Sequence, residues 1–262
     1  MSVPELGLVE FSNPEQLSDN ASLVVLGPGI GTSVTNLYGG LAAQLTGDVH
    51  VVGWDLPGHG TSGPAEDFTV AELAQGVLGA VGGHVSSGPF HYVGTSIGGA
   101  VGQQLLLAHP DQLASLTLIA TTDYFPDPAG WHERADLVAQ AGTPTQVINS
   151  AKLWFAPDFL AHHAEVGTAL LHDLQNADRL SYAAACRSLA SFDLREAEPA
   201  TKVPVQTLSG PSDVVTGPET VQELADKLGA RHETVANTSH LLAVEAPQVT
   251  AEHISRFISA HR

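Results

Sequence analysis

This sequence is poor in basic residues, in cysteine and in long apolar runs. Of its 262 residues only 10 are Lys or Arg, against 28 Asp or Glu, and the formal net charge is −18. A field of that sign repels the phosphate backbone of nucleic acids and the surface of anionic membranes. We therefore expect neither nucleic acid nor a membrane as a partner, and an anionic small molecule would need a local cation to bind.

The single cysteine, Cys186, excludes an internal disulfide. Residues 1–20 are polar and acidic without the apolar core of a signal peptide, and no apolar run approaches the length of a membrane span. We expect a cytoplasmic protein in which Cys186 is buried in a helix as a small hydrophobic residue. The sequence leaves open whether the chain forms a homo-oligomer.

Apolar residues are plentiful, at 43% of the chain, which is enough for one large core. Short β-branched runs alternate with helical patterns, an arrangement typical of a mainly parallel sheet flanked by helices, the α/β class. The predicted strands are 6–11, 22–26, 48–54, 89–93, 113–120, 203–208 and 232–235. The predicted helices are 34–45, 71–85, 98–109, 219–228 and 248–261.

From residue 121 to about 199 this alternation stops. The stretch is helical in pattern and is broken by prolines, among them Pro126, Pro144 and Pro157. We expect a helical cap, residues 123–199, inserted into a core made of residues 1–122 and 200–262. The insertion is expected to follow the sixth strand of the sheet.

A pattern of the form G-x-S-x-G centres on Ser96, with Gly94 and Gly98 on either side. A predicted strand enters the pattern and a predicted helix leaves it, which is the context in which such a serine serves as a nucleophile. Small flanking residues suit a strained turn because Cβ atoms there would collide with the neighbouring backbone. The pattern by itself also fits an ordinary serine in a glycine-rich turn.

A serine nucleophile needs a base and a carboxylate that orients the base, and both follow the cap. Asp213 comes after the predicted strand 203–208, and His240 comes after the last strand. Asp123, also at the end of a strand, is the rival acid. His59 lies between glycines in a turn, where we expect a structural role.

The glycine-rich segment 27–32 lacks the ending of a phosphate-binding loop. Beside a serine nucleophile it could instead direct backbone N–H groups at an oxyanion. We expect the N–H groups of Ile97 and of Gly29, or of its neighbour Ile30, to form that oxyanion hole. The spacings of the cap histidines do not match a helical zinc site, and we expect neither a metal nor a cofactor.

Taken together, these motifs resemble the α/β-hydrolase superfamily, and the cap resembles that of the 3-oxoadipate enol-lactonases. The segments that carry the second resemblance are 130–134, 153–159, 182–187 and 192–195. The sequence departs from that family at Thr95 and Ile97, where a different residue and a methionine are more frequent, and its N-terminal region leaves room only for a shortened hairpin.

The resemblance implies a serine hydrolase that opens the ring of 3-oxoadipate enol-lactone in the breakdown of aromatic compounds. The cap residues expected to contact substrate are Trp131, Arg134, Trp154 and Arg187. Two alternatives stay open. One is a broad carboxylesterase or related acyl-transfer enzyme, and the other is a ligand receptor that keeps the hydrolase fold without turnover.

Overall fold

The computed structural model describes residues 3–13, 15, 17–84, 88–199 and 202–262. Val85, predicted to end the second helix, and residues 1 and 200, predicted as domain limits, lie outside the described residues. The strands are β1 (Leu8–Glu10), β2 (Ser22–Gly27), β3 (Val49–Trp54), β4 (Phe90–Thr95), β5 (Leu113–Ile119), β6 (Val205–Ser209) and β7 (Arg231–Thr234). The helices are α1 (Val34–Ala42), α2 (Val70–Val81), α3 (Ile97–Ala108), α4 (Pro128–Ala141), α5 (Val147–Trp154), α6 (Phe159–His162), α7 (Ala164–Asn176), α8 (Arg179–Ser191), α9 (Pro218–Leu228), α10 (Leu242–Glu245) and α11 (Pro247–Ser259).

The seven strands form one sheet in the order β1-β3-β2-β4-β5-β6-β7. Only β1 runs antiparallel to its neighbour, and the other strand pairs are parallel. Each predicted strand is present with its ends within two residues of the expected ones. The expectation of a mainly parallel sheet flanked by helices is therefore confirmed.

The central strands β2 and β4 are buried on both faces of the sheet. Every residue of β4 is buried, and so is every residue of β2 except Ser22. Parallel sheets acquire this pattern because the helices between their strands cover both faces. The carboxyl ends of β4 and its parallel neighbours lie at one edge of this buried core. Residues in the loops that follow these strands are held in place there.

The cap lies between β5 and β6 in the chain and comprises α4 to α8. It follows the fifth strand of the described residues, so the expectation that it follows the sixth was wrong. The five strands predicted before residue 121 are all present as β1 to β5, so the error lies in the ordinal and no predicted strand is missing. The two ends of the cap meet, because Tyr124 forms a β-bridge with Asp193 and Leu194 N–H donates to Asp123 O at 2.8 Å.

The cap is fastened to the core through the carboxylate of Asp173 on α7. This side chain accepts hydrogen bonds from Ser33 N (3.0 Å), Ser33 Oγ (2.7 Å) and Asn36 Nδ2 (2.9 Å). Ser33 is the N-cap of α1, so the contact joins the cap to the first helix of the core. In the last cap helix Cys186 is buried as expected, and burial raises the pKa of its thiol to about 12.

Candidate active site

Ser96 lies at the junction of β4 and α3 in a backbone conformation that L-residues rarely adopt, with φ 55° and ψ −116°. Its N–H donates to Ile119 O (2.9 Å), and its carbonyl accepts from Thr121 Oγ1 (2.7 Å). These contacts with the neighbouring strand β5 and the residues after it maintain a conformation that costs roughly 1–3 kcal/mol.

Glycine is required at Gly94 and Gly98, on both sides of this serine, because other backbone segments lie very close to both positions. A Cβ at Gly94 would lie 2.2 Å from the carbonyl oxygen of Gly98, and a Cβ at Gly98 would lie 2.5 Å from the carbonyl of Gly27. Both separations are far inside van der Waals contact. The turn therefore fits the context that the pattern predicted, and it puts the Ser96 side chain at the carboxyl end of the sheet.

Asp213 and His240 come together from two loops at the same edge. Asp213 follows β6, His240 follows β7, and His240 Nδ1 lies 3.0 Å from Asp213 Oδ2 in a contact where both side chains are at least 95% buried. In the neutral tautomer that donates its Nδ1 proton to this carboxylate, Nε2 is the nitrogen that can accept a proton. The arrangement orients a base, as a nucleophilic serine requires.

The Asp213 carboxylate is held in its ionised form. Its Oδ1 accepts from Val215 N (2.7 Å) and Thr216 N (3.2 Å), and its Oδ2 also accepts from Thr216 Oγ1 (2.6 Å). Burial by itself would raise the pKa of this carboxyl, but the His240 imidazole and these hydrogen bonds outweigh it and lower the pKa to about 2. Near neutral pH the residue is thus a fixed negative charge beside the imidazole.

Asp123, the rival acid, lies elsewhere. Its carboxylate accepts from Lys227 Nζ at 2.8 Å at the base of the cap, where both side chains are partly exposed. Asp213 is the carboxylate that contacts His240. The geometry therefore favours Asp213 as the acid of a triad.

Ser96 Oγ and His240 Nε2 have no hydrogen-bond partner within the part of the chain that the structure describes, and neither atom is fully buried. Both atoms therefore keep some contact with solvent. Hydrogen bonds between a nucleophile and its base commonly tighten only once substrate is bound.

The segment after β2 packs against the serine turn. Gly98 N–H donates to Pro28 O (2.9 Å), and a Cβ built on Gly29 would lie 4.0 Å from Ser96 Cβ. Among the described residues no hydrogen bond uses the N–H of Gly29 or of Ile97. The Ile97 N–H is also at the N-terminus of α3, whose dipole favours negative charge.

His59 has the structural role that the sequence predicted. Its Nδ1 donates to Pro57 O (2.8 Å), and its Nε2 accepts from Gly31 N–H (3.2 Å). Burial lowers the pKa of this imidazole, so it stays neutral and able to accept that bond. His59 consequently fixes the loop that carries Gly29.

The cap residues that were expected to contact substrate lie at three different places in the structure. Trp154 lies beside the loop that carries His240, since its carbonyl accepts from Leu241 N–H (3.1 Å) and its ring would lie 3.3 Å from a Cβ on Gly31. Arg187 donates to the Glu66 carbonyl (3.3 Å). Trp131 lies beside Arg134, whose guanidinium carbon is 5.3 Å from the centre of the Trp131 ring.

Arg134 has an unusual environment for a cation. Its Nη2 donates to the hydroxyl of Tyr182, whose ring centre is also 5.3 Å from the guanidinium carbon. Its Nε is buried and has no partner among the described residues. The Tyr182 ring in turn stacks on His59 with centres 6.0 Å apart, which connects this cation to the loop that holds Gly29.

Sequence reasoning missed Glu245, which follows His240 on the short helix α10. Its carboxylate accepts from Ser239 N (2.6 Å), next to the histidine, and from Ala156 N (2.5 Å) in the cap. Burial raises its pKa, although both hydrogen bonds oppose that shift. An acidic residue one short helix after the histidine was the available signal, but its partner at Ala156 is 89 positions away.

The sheet order, the strained serine turn and the three loops at one edge define an α/β-hydrolase fold. The alpha/beta hydrolase family model matches residues 24–253, and the chain belongs to that family. It is 29% identical to 3-oxoadipate enol-lactonase 2 of Acinetobacter baylyi over 76% of this chain and 74% of that protein. It is 25% identical to 3-oxoadipate enol-lactonase 1 of the same organism over 96% of this chain and 92% of that protein.

Among solved structures, the enol-lactonase from Burkholderia xenovorans LB400 superposes with a TM-score of 0.89 at 25% identity, covering 97% of this chain and 96% of that one. The family and these relatives together support an ester-hydrolysing activity on a small molecule. In the described parts of the chain, no helix has both the length and the apolar character needed to cross a membrane.

Proposed function

We propose that this protein is a serine hydrolase in which Ser96, His240 and Asp213 form the catalytic triad. The observation that carries the proposal is the buried 3.0 Å contact between His240 Nδ1 and Asp213 Oδ2. It occurs at the edge of the sheet where the strained turn presents Ser96. An oriented imidazole at the same sheet edge as a serine whose hydroxyl is free of hydrogen bonds among the described residues has the groups needed for acyl transfer.

In this mechanism the Ser96 hydroxyl attacks the carbonyl carbon and passes its proton to His240 Nε2. Asp213 stabilises the imidazolium that forms, and the N–H groups of Ile97 and Gly29 hold the negative oxygen. His240 then gives the proton to the leaving enol oxygen. Water hydrolyses the acyl-enzyme with His240 as base, and relaxation of the freed enol to a ketone favours ring opening.

The substrate class that we propose is an enol-lactone bearing a carboxylate, as in 3-oxoadipate enol-lactone. The relatives that match most of the chain support this class. The chain also has a suitable local cation in a protein of net charge −18, because the buried Nε of Arg134 has no partner among the residues that the structure describes. A planar guanidinium can bind a carboxylate through two parallel hydrogen bonds.

Arg187 is the weaker candidate for this role because its guanidinium already donates to the Glu66 carbonyl. Trp131 and Trp154 would supply apolar walls to the substrate pocket. Such walls suit the ring of a small lactone and strengthen the electrostatic contacts by excluding water.

The direct test is a spectrophotometric assay of enol-lactone disappearance beside a panel of short-chain aryl esters, with Ser96→Ala as the inactive control. We expect kcat/KM for the lactone to exceed that for every ester. A strong preference for esters would instead identify a carboxylesterase or related acyl-transfer enzyme. Binding without turnover of either class would identify a ligand receptor.

The carboxylate site is tested by Arg134→Ala, with Arg187→Ala as the matched control. Removing a carboxylate clamp should cost roughly 2–5 kcal/mol in transition-state binding of the acid and little for a neutral ester. Arg187→Ala should leave kcat/KM for both the acid and the neutral ester nearly unchanged. Equal losses on acid and ester in Arg134→Ala would reduce that residue to a structural contact with Tyr182.

A further inference from the structure

A cluster of three potential metal ligands lies on the far side of the molecule from the triad. Glu10 ends the edge strand β1, His50 lies near the start of β3, and His84 follows α2. The Glu10 carboxylate uses both oxygens, since Oε2 is 2.8 Å from His50 Nε2 and Oε1 is 3.3 Å from His84 Nδ1. The two imidazole rings are 5.5 Å apart, centre to centre.

The sheet explains why these side chains converge. In the antiparallel pair, Glu10 lies opposite Val52, and His50 is two residues from Val52. Residues two apart on a strand share a face, so Glu10 and His50 are diagonal neighbours on one face. The turn after α2 brings His84 onto the same face, with its N–H donating to Val81 O at 2.8 Å.

We propose that Glu10, His50 and His84 bind one divalent transition-metal ion of the zinc class. Two imidazoles and one carboxylate are a donor set that zinc accepts, with a fourth position left for water. The three donor atoms all lie within 4.8 Å of one another, so small side-chain rotations bring them to a common centre. The side chains are 18–39% exposed, which gives an ion a path of entry.

Two electrostatic features favour a cation at this place. The cluster lies close to the C-terminal end of α2, where the helix dipole is negative, and no basic residue occupies the last turn of that helix. The net charge of −18 raises the local concentration of cations around the whole protein. The expectation of no metal rested on spacings within single helices, whereas these ligands come from three separate elements.

The site is remote from catalysis. His50 is at the amino end of β3, whereas Ser96 follows the carboxyl end of β4, which runs parallel to β2 and β3 in the same sheet. A metal here would tie the edge strand β1 to β3 and to the end of α2. We therefore assign it a stabilising role, with the ester-hydrolysing activity independent of the ion.

The test is calorimetric titration of the chelator-treated full chain with zinc. A parallel titration with cobalt is followed by absorption spectroscopy, because the d–d bands report the ligand geometry. The expected result is one saturable site per chain and a rise in Tm with zinc concentration. Glu10→Gln, His50→Gln and His84→Gln should each weaken binding by about 100-fold or more, because even the outer partners of metal ligands are worth about 10- to 100-fold. Circular dichroism of each variant checks that it is folded.

The matched control is His172→Gln, which removes an exposed histidine of the cap. It should bind zinc as the parent protein does, and the turnover of every variant should stay within about twofold of the parent. Absence of a saturable site would overturn the proposal. So would zinc affinity that survives all three cluster substitutions, because the ion would then be held by other histidines.

Discussion

Replacing Asp213 by Asn changes one atom and leaves the carboxylate's four hydrogen-bond partners with an amide that cannot satisfy them all. Oδ1 accepts from two backbone N–H groups, those of Val215 and Thr216, and these donors cannot reverse their role. The amide oxygen should therefore occupy the Oδ1 position. The amide NH₂ then faces His240 Nδ1, where Oδ2 had accepted a hydrogen bond.

With a donor opposite it, His240 Nδ1 must become the acceptor, so the imidazole proton moves to Nε2. A protonated Nε2 cannot take the proton of Ser96. Loss of the correct tautomer at such a triad lowers kcat by about 10,000-fold, equivalent to about 5–6 kcal/mol of transition-state stabilisation. The opposite amide orientation does not rescue the site, because NH₂ would then face the two backbone N–H groups.

The assay is steady-state hydrolysis of the preferred lactone or ester by Asp213→Asn, with Asp123→Asn as the matched control. Asp123 contacts Lys227 at the base of the cap and should change kcat by no more than about twofold when neutralised. Loss of activity in the control with retention in Asp213→Asn would refute the assignment of the acid. A drop of less than about tenfold in Asp213→Asn would refute the tautomer argument.

Three further results are expected. Ser96→Ala and His240→Ala should each lower kcat by several orders of magnitude, and the double variant should lower it little further, because the members of a triad act as one unit. Additive losses of kcat in steady-state kinetics would contradict this. Glu245→Gln should leave one of the two backbone N–H groups, that of Ser239 or that of Ala156, facing an amide NH₂. The free energy of unfolding should fall by about 1–3 kcal/mol, and kcat should change more than KM. Kinetics equal to those of the parent would show that the loop carrying His240 does not depend on Glu245. The folded-state pKa of Asp213, about 2, lies below its ordinary value of 3.8, so its stabilising contribution is complete above about pH 4 and disappears as the pH falls towards 2. Over that range chemical denaturation should show the parent losing about 2 kcal/mol more than Asp213→Asn, and equal losses would argue against a depressed pKa.

The sequence by itself determined the fold class and the serine turn. Strand and helix periodicities are local, and the glycines around Ser96 reflect a constraint acting within a few residues of the turn, so both were legible without the structure. The position of Asp213 and His240 after successive strands was also legible, because parallel strands end at the same edge of the sheet.

Tertiary structure decided the contacts between residues far apart in the chain. The sequence offered two acids, and only the folded chain brought Asp213 to His240 and Asp123 to Lys227. The sequence likewise offered Arg134 and Arg187 as equals, and within the described part of the chain packing left a guanidinium nitrogen of Arg134 without a partner. Side-chain orientation in such cases depends on which elements pack together, and no periodicity along the chain records that.

The same limit explains Glu245 and the Glu10 cluster. Glu245 joins the histidine loop to Ala156 in the cap, and Glu10 meets His50 across a strand pair separated by 40 positions. A sequence pattern detects ligands or partners that share a helix or a strand, since their spacing then follows the geometry of that element. Groups from separate elements become neighbours only when the sheet register and the helix packing are fixed. Register and packing in turn depend on how the whole core is buried.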